Sequence, residues 1–198
     1  MPEKKDTLPV VGFSSIEEWN AWLDAQPRTS SGVWLKLEKA ASRKGRASLS
    51  RQEAIDGALC NGWIDGQLRP YDDAHWLVRF TPRRRASKWS QVNRDRALEL
   101  TGLGRMTAAG LNEIERARRD GRWDAAYAPQ SKATVPPDLQ AALEANPAAK
   151  RHFELLDSRN RYAVLYRVHE AKKPETRGQR IARFVDMLSR GESIHPPK

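Results

Sequence analysis

The chain has 198 residues, 35 Lys plus Arg against 25 Asp plus Glu, a formal net charge of +10, and 39% hydrophobic residues including seven Trp. That length suits one domain, or a domain with a helical subdomain, and buries a core without help from disulfides or metals. No stretch approaches the roughly 18 apolar residues of a spanning helix, and a lone cysteine, Cys60, excludes a disulfide-stapled scaffold.

Val10 to Phe13 is a short apolar run. Ser14 and Ser15 follow, with Glu17 and Glu18 three residues on from each, so either pair predicts a capping box. Ile16, Trp19 and Leu23 share the next helical face, and Pro27 marks its end. Val33, Leu35 and Leu37 alternate with Trp34, Lys36 and Glu38, the pattern of a half-buried strand. Residues 40–48 read as a basic, small-residue loop. Ser50 and Glu53 predict a second capping box, with Leu49 as staple and Ala54, Ile55, Ala58 and Leu59 as the buried stripe. Gly57 costs that helix about 1 kcal/mol relative to Ala, which predicts close backbone packing there. Gly62 ends the helix. Trp63 to Arg69 and His75 to Phe80 read as a hairpin.

From Ser90 onward the pattern is helical. Val92 to Leu100 forms one helix, stopped by Gly102 and Gly104. Thr107 caps the next, with Leu111, Ile114 and Ala117 as its apolar positions and Gly121 as its end. Residues 128–137 hold three prolines without periodicity and read as a linker. Three or four short helices follow. Pro137 opens one carrying Leu139 and Leu143, and Asn146-Pro147 opens the next, toward Phe153 and Leu156. Ser158 caps a third, with Tyr162, Leu165, Tyr166 and His169 on one face and Val164 and Val168 beside it. Pro174 opens the last, with Ile181, Phe184, Val185 and Leu188 inside and Gly191 at its end. The expected architecture is α+β: a small, mostly antiparallel sheet flanked by helices over 9–127, a Pro-rich linker over 128–137, and an all-helical region over 138–192 packed on the sheet.

The positive charge is concentrated. Residues 79–96 carry +6 and residues 150–198 carry +6, while the rest is close to neutral. The first of these segments, RFTPRRRASKWSQVNRDR, has seven basic residues, one acid and Trp89. Arginine presents a planar fork to phosphate or carboxylate, and hydroxyls and amides add neutral donors. The candidate ligand-binding set is therefore Asp65, Arg79, Thr81, Arg83, Arg84, Ser87, Lys88, Ser90 and Asn93, with Trp63 and Trp89 offering flat apolar surface and Arg161 and Tyr162 closing the site from the tail. Ordinary solvation of helix faces is the competing account, more so for the tail, whose bases are spread around short helices.

Catalytic signals are sparse. Cys60, Asp65 and His75 invite a thiolate–imidazole–carboxylate reading, but Cys60 ends an apolar stripe, where an inert thiol is common. The four His are scattered without metal-ligand spacing, and no phosphate loop or nucleophile elbow is present. No catalytic set, metal or cofactor is expected. In a regular strand Trp63, Asp65 and Gln67 project to one face and Ile64 and Leu68 to the other. An Asp65–Arg79 pair fits across the hairpin, either as a binding feature or as an ion pair within the sheet.

The segments ALCNGWIDGQLRPYD, RFTPRRRASKWSQVN, GRMTAAGLNEIERARRDGRWDAAY and NRYAVLYRVHEAKKPETRGQRIARFVDMLSRGESIHP resemble the YdeI/OmpD-associated, or bacteriocin-protection, family over roughly residues 13–196. The resemblance rests on Gly62, Trp63, Ile64, Asp65, Gly66, Arg79 to Arg84, Ser87, Trp89, Ser90 and Asn93, with Arg161, Tyr162 and Arg177 in the tail. Asn61 departs from it, standing where an aromatic precedes the Gly-Trp pair. The resemblance implies a role in stress and antimicrobial-peptide tolerance and no settled reaction. Its porin label implies an envelope location. MPEKKDTLPVVGF lacks a signal-peptide apolar run, so a cytoplasmic protein without membrane insertion is expected, with residues 1–8 mobile. The leading expectation is a protein that binds an anionic small molecule or polyanion. The alternatives are an enzyme on a small phosphorylated or carboxylated molecule, with Asp65 as base, and a basic module for a protein or nucleic-acid partner.

Overall fold

The computed structural model describes residues 8–42 and 48–196. The chain falls into two units, Met1–Ala126 and Tyr127–Lys198. Most of residues 1–8, expected to be mobile, and the centre of the basic 40–48 loop lie outside the described residues. Ala40–Ser42 form a 3₁₀ turn.

The first unit begins with β1 (Val10–Val11), α1 (Ile16–Asp24), β2 (Val33–Glu38) and α2 (Arg51–Cys60). The hairpin β3 (Trp63–Pro70) and β4 (His75–Pro82) follows, then α3 (Gln91–Gly102) and α4 (Ala108–Arg119). The sheet order is β1-β2-β4-β3, with β1 parallel to β2 and the other pairs antiparallel. Ser15 caps α1 by accepting from the Glu18 N–H, while the Glu18 carboxylate reaches back to the N–H of Ser14 rather than Ser15. Ser50 and Glu53 form the full reciprocal box on α2, and Leu49 is buried beside it.

Trp19 and Leu23 of α1 and Ala54 and Ala58 of α2 pack on Val33, Leu35, Leu37, Val78, Phe80 and Trp63 of the sheet. Trp19 is fully buried. Its ring stacks on Trp22 at 5.4 Å, meets Phe80 edge-on at 5.3 Å, and its indole N–H donates to the Ala54 carbonyl at 3.0 Å. The close packing expected at Gly57 is present: a Cβ there would strike Asn20 Oδ1 and come within 3.0 Å of Trp19. β2 is less one-sided than its alternation predicts. Trp34, on the other face, is also buried, with the Arg69 guanidinium 4.0 Å from its ring centroid.

A β-bulge overturns the expected facing of β3. Ile64 pairs with Thr81 and Asp65 with Phe80, but Leu68 pairs with Val78, so two residues, Gly66 and Gln67, oppose Arg79 alone. The extra residue reverses the alternation. Ile64 and Leu68 therefore lie on opposite faces instead of sharing one.

A second core in this unit joins Leu59, Cys60, Trp89, Ala97, Leu100, Ile114, Ala117, Trp123 and Ala126. Thr107 caps α4 as expected. Leu111, however, is 38% exposed, and the buried positions are Gly110, Glu113, Ile114 and Ala117. A strict spacing of three (111, 114, 117) drifts around a helix, whereas 110, 113, 114 and 117 hold one face. Gly110 is required there because a Cβ would clash with the Cys60 carbonyl.

The second unit holds α5 (Pro137–Glu144), α6 (Pro147–Leu155), α7 (Ser158–Glu170) and α8 (Pro174–Ser189). Leu139, Leu143, Phe153, Val164, Leu165, Val168, Ile181, Phe184 and Leu188 form its core, and Ala133 and Val135 of the proline-rich segment pack against them. Asn146 caps α6 with Pro147 in the first turn. On α7 the cap is Asp157, not Ser158: its Oδ1 accepts from the Asn160 N–H at 2.7 Å. The buried residues of α7 are Asn160, Val164, Leu165 and Val168, so Leu165 and the two flanking valines are interior while Tyr162, Tyr166 and His169 are half-buried. Arg177 joins helices by gripping Asp138 at 2.5 and 2.8 Å and the Val168 carbonyl at 2.8 Å. Among the described residues no helix is long and apolar enough to cross a membrane.

Candidate anion-binding surface

The dense basic segment begins where β4 ends. Arg83 N–H donates to the Gly62 carbonyl at 2.9 Å, which ties the segment to the start of β3. From this shared anchor the side chains diverge. Trp63 enters the first core, with 2% exposure, and Arg83 turns to the second. The Arg83 guanidinium lies 3.6 Å from the Trp89 ring centroid and donates to the Lys88 carbonyl at 3.2 Å, and the residue is only 4% exposed. Trp89 in turn meets Trp123 edge-on at 4.9 Å. Trp63 and Trp89 therefore offer no flat surface to a ligand; both are interior, because each indole has an aromatic neighbour to cover it.

Two further arginines brace the segment. Glu113 on α4 is 1% exposed, accepts from Arg28 at 2.6 Å and pairs with Arg116, which also donates to the Arg83 carbonyl at 3.3 Å. Arg122 donates to the Ser87 carbonyl at 2.7 Å while Asp120 holds it at 2.8 and 2.9 Å. Its hydrogen bonds keep the Asp120 carboxyl below the ordinary carboxylate range. The turn closes on itself: Arg84 N–H donates to Ser87 Oγ, and Ser87 N–H to the Arg84 carbonyl, both at 2.9 Å. Ser90 caps α3 by accepting from the Asn93 N–H. Ser87 and Ser90 thus serve the backbone first. Outside this frame stand the exposed side chains of Arg84, Arg85 and Lys88. Arg84 and Arg85 meet no carboxylate among the described residues.

The remaining candidates are placed elsewhere. Arg79 faces Trp34 across the sheet, and Thr81 faces Ile64. Asp65 meets Arg51 of α2 at 3.8 Å, in place of the expected Arg79. Its register partner is Phe80, a core residue, so Asp65 sits at the margin of the helix-covered face. Arg161 and Tyr162 belong to the second unit. The Arg161 guanidinium lies 4.7 Å from the Phe153 ring centroid, and Tyr162 donates to the Ala128 carbonyl at 2.9 Å.

Cys60, Asp65 and His75 do not form one constellation. His75 pairs with Asp72 at 2.8 Å and lies five residues along β4 from the partner of Asp65, about 17 Å of strand. Cys60 is buried, and burial pushes its thiol up; Asp56 adds to that effect, while Arg105 and Arg96 oppose it. A thiol reagent is accordingly expected to modify Cys60 only after denaturation. Rapid labelling of the folded protein at neutral pH would contradict this. Asp56, buried beside it, is gripped by Arg96 and Gln52; burial acts to raise its carboxyl, but those hydrogen bonds outweigh it and hold the group low. Among the described residues no group of His, Cys, Asp and Glu is arranged to hold a metal ion.

A family model described as Domain of unknown function (DUF8412) matches residues 11–113. A second, Bacteriocin-protection, YdeI or OmpD-Associated, matches residues 132–191. The expected resemblance over residues 13–196 thus narrows to the second unit, and the motifs from Gly62 to Asn93 fall in the stretch matched by the first model. No curated protein and no solved structure matched the chain. Over half its length, across most of the first unit, the chain belongs to the family of that domain of unknown function, and its second unit carries a stretch that matches the YdeI or OmpD-associated, bacteriocin-protection model.

Proposed function

We propose that this chain is a stress- and antimicrobial-tolerance protein that binds a polyanionic partner through Arg84, Arg85 and Lys88. The observation that supports it most is the division of labour in one short segment. Arg83 is buried and spent on Trp89, Arg116 and Arg122 hold the backbone, and Arg84 and Arg85 project without a carboxylate partner among the described residues. A braced loop loses little side-chain and backbone entropy on binding, so its charges act at low ordering cost. The family description, bacteriocin protection, supports the physiological setting. Asp65 is the weaker basis for an enzyme reading, because it already faces Arg51. The test is binding of a fluorescein-labelled single-stranded oligonucleotide by the full chain and by the Arg84→Glu/Arg85→Glu variant. The wild type is expected to bind with salt-dependent affinity, and the variant to lose most of it.

A further inference from the structure

The second unit contains a cavity of about 670 Å³ walled by α7, α8 and the segment that follows α8. That volume is within the range of small-molecule sites. Its charges sort into two groups. Arg190 grips Glu192 at 2.9 and 3.1 Å and also pairs with Asp186, so those two carboxylates and one guanidinium are mutually satisfied. Glu170 is a further acid on the wall, and it too has an interaction partner.

Among the described residues the other three arginines meet no carboxylate. Arg167 donates to the Ala163 carbonyl at 3.4 Å, Arg180 to the Arg167 carbonyl at 2.5 Å, and Arg183 makes no hydrogen bond or ion pair among the described residues. The Arg180 bond ties α8 to the last turn of α7, which carries Arg167, so all three arginines line the same cavity. Phe184, Met187 and Ile194 add an apolar wall. Three guanidinium forks suit the oxygens of a doubly charged phosphoryl group better than the two of a carboxylate. The apolar wall suits a hydrophobic body attached to that group, and Met in particular adapts to varied shapes.

We infer that this cavity is a second, separate binding site, for a small phosphate monoester with an apolar body. It shares no residue with the Arg84–Lys88 loop and does not depend on that loop's role. The test is calorimetric titration of the full chain with phenyl phosphate, inorganic phosphate, benzoate and phenol, carried out in the Arg84→Glu/Arg85→Glu background so that the loop contributes nothing. Phenyl phosphate is expected to bind at least tenfold more tightly than each of the other three. Arg183→Ala and Arg167→Ala, which remove no ion pair and at most a long backbone hydrogen bond, are each expected to weaken it about tenfold while thermal melting is unchanged. Unchanged affinity in both variants would overturn the site. Equal binding of inorganic phosphate would overturn the apolar component, and equal binding of benzoate the phosphoryl head.

Discussion

Replacing Glu113 with Ala is expected to lower the stability of the first unit by about 3 kcal/mol. Glu113 is the buried centre of a three-residue ion cluster, with Arg28 and Arg116 bound to its two oxygens. Removing one partner of a buried pair leaves the other charges without compensation, which costs about 3–5 kcal/mol when they too are buried. Arg28 and Arg116 are 48% and 36% exposed at the side chain and recover some hydration, which places the loss at the low end. The cluster also packs closely on Gly62, whose φ of +72° is a left-handed conformation and where a Cβ would meet Arg28, Glu113 and the Ala109 carbonyl. Losing Glu113 therefore loosens the junction of α2 and β3 as well. Urea unfolding followed by tryptophan fluorescence reports this directly, since all seven Trp lie in the first unit. A loss below about 1 kcal/mol would mean that the cluster is solvated rather than structural.

Arg83→Ala is expected to cost about 2 kcal/mol, from the stacked cation–aromatic contact and the packing of its buried stem. Arg83→Lys is expected to recover less than half of that, because an ammonium cannot lie flat on Trp89 while donating to the Lys88 carbonyl. Both variants also release the loop and are expected to weaken oligonucleotide binding severalfold. The comparison with Arg84 and Arg85 separates two kinds of arginine. Substitutions at 84 and 85 are expected to change binding without changing the unfolding midpoint. Equal stability losses at 83, 84 and 85 would contradict the assignment.

Local chemistry was legible along the chain. The Ser50–Glu53 box, the Asn146-Pro147 start and the glycine ends at Gly62, Gly121 and Gly191 depend on neighbours a few residues apart, and each has the expected structure. The packing demand at Gly57 could also be anticipated from its cost to the helix. What depended on distant partners could not. Arg28 and Glu113 are 85 positions apart, and nothing in α4's own sequence marks Glu113 as interior in preference to Leu111. The bulge at Gly66 and Gln67 escaped because alternation assumes an unbroken ladder; the glycine was the available signal. The candidate site was found as a charge density, which is a sum over residues. Which arginine is buried is a property of what covers it. Arg83 and Arg84 are adjacent and chemically identical, and only the proximity of Trp89 and Trp123 separates the brace from the contact.

On this reading Arg84 and Arg85 contact an anionic partner from a loop that Arg83, Arg116 and Arg122 hold in place. The most direct measurement is the salt dependence of oligonucleotide affinity for the wild type and for Arg84→Glu/Arg85→Glu, with melting temperatures recorded for both. The logarithm of wild-type affinity is expected to fall linearly with the logarithm of salt, at a slope of about −0.7 per phosphate neutralised on a single strand. The variant is expected to lose at least tenfold in affinity and to show a shallower slope by roughly two such contacts, with an unchanged melting temperature. Salt-independent wild-type binding, or equal affinities and slopes for the two proteins, would contradict it.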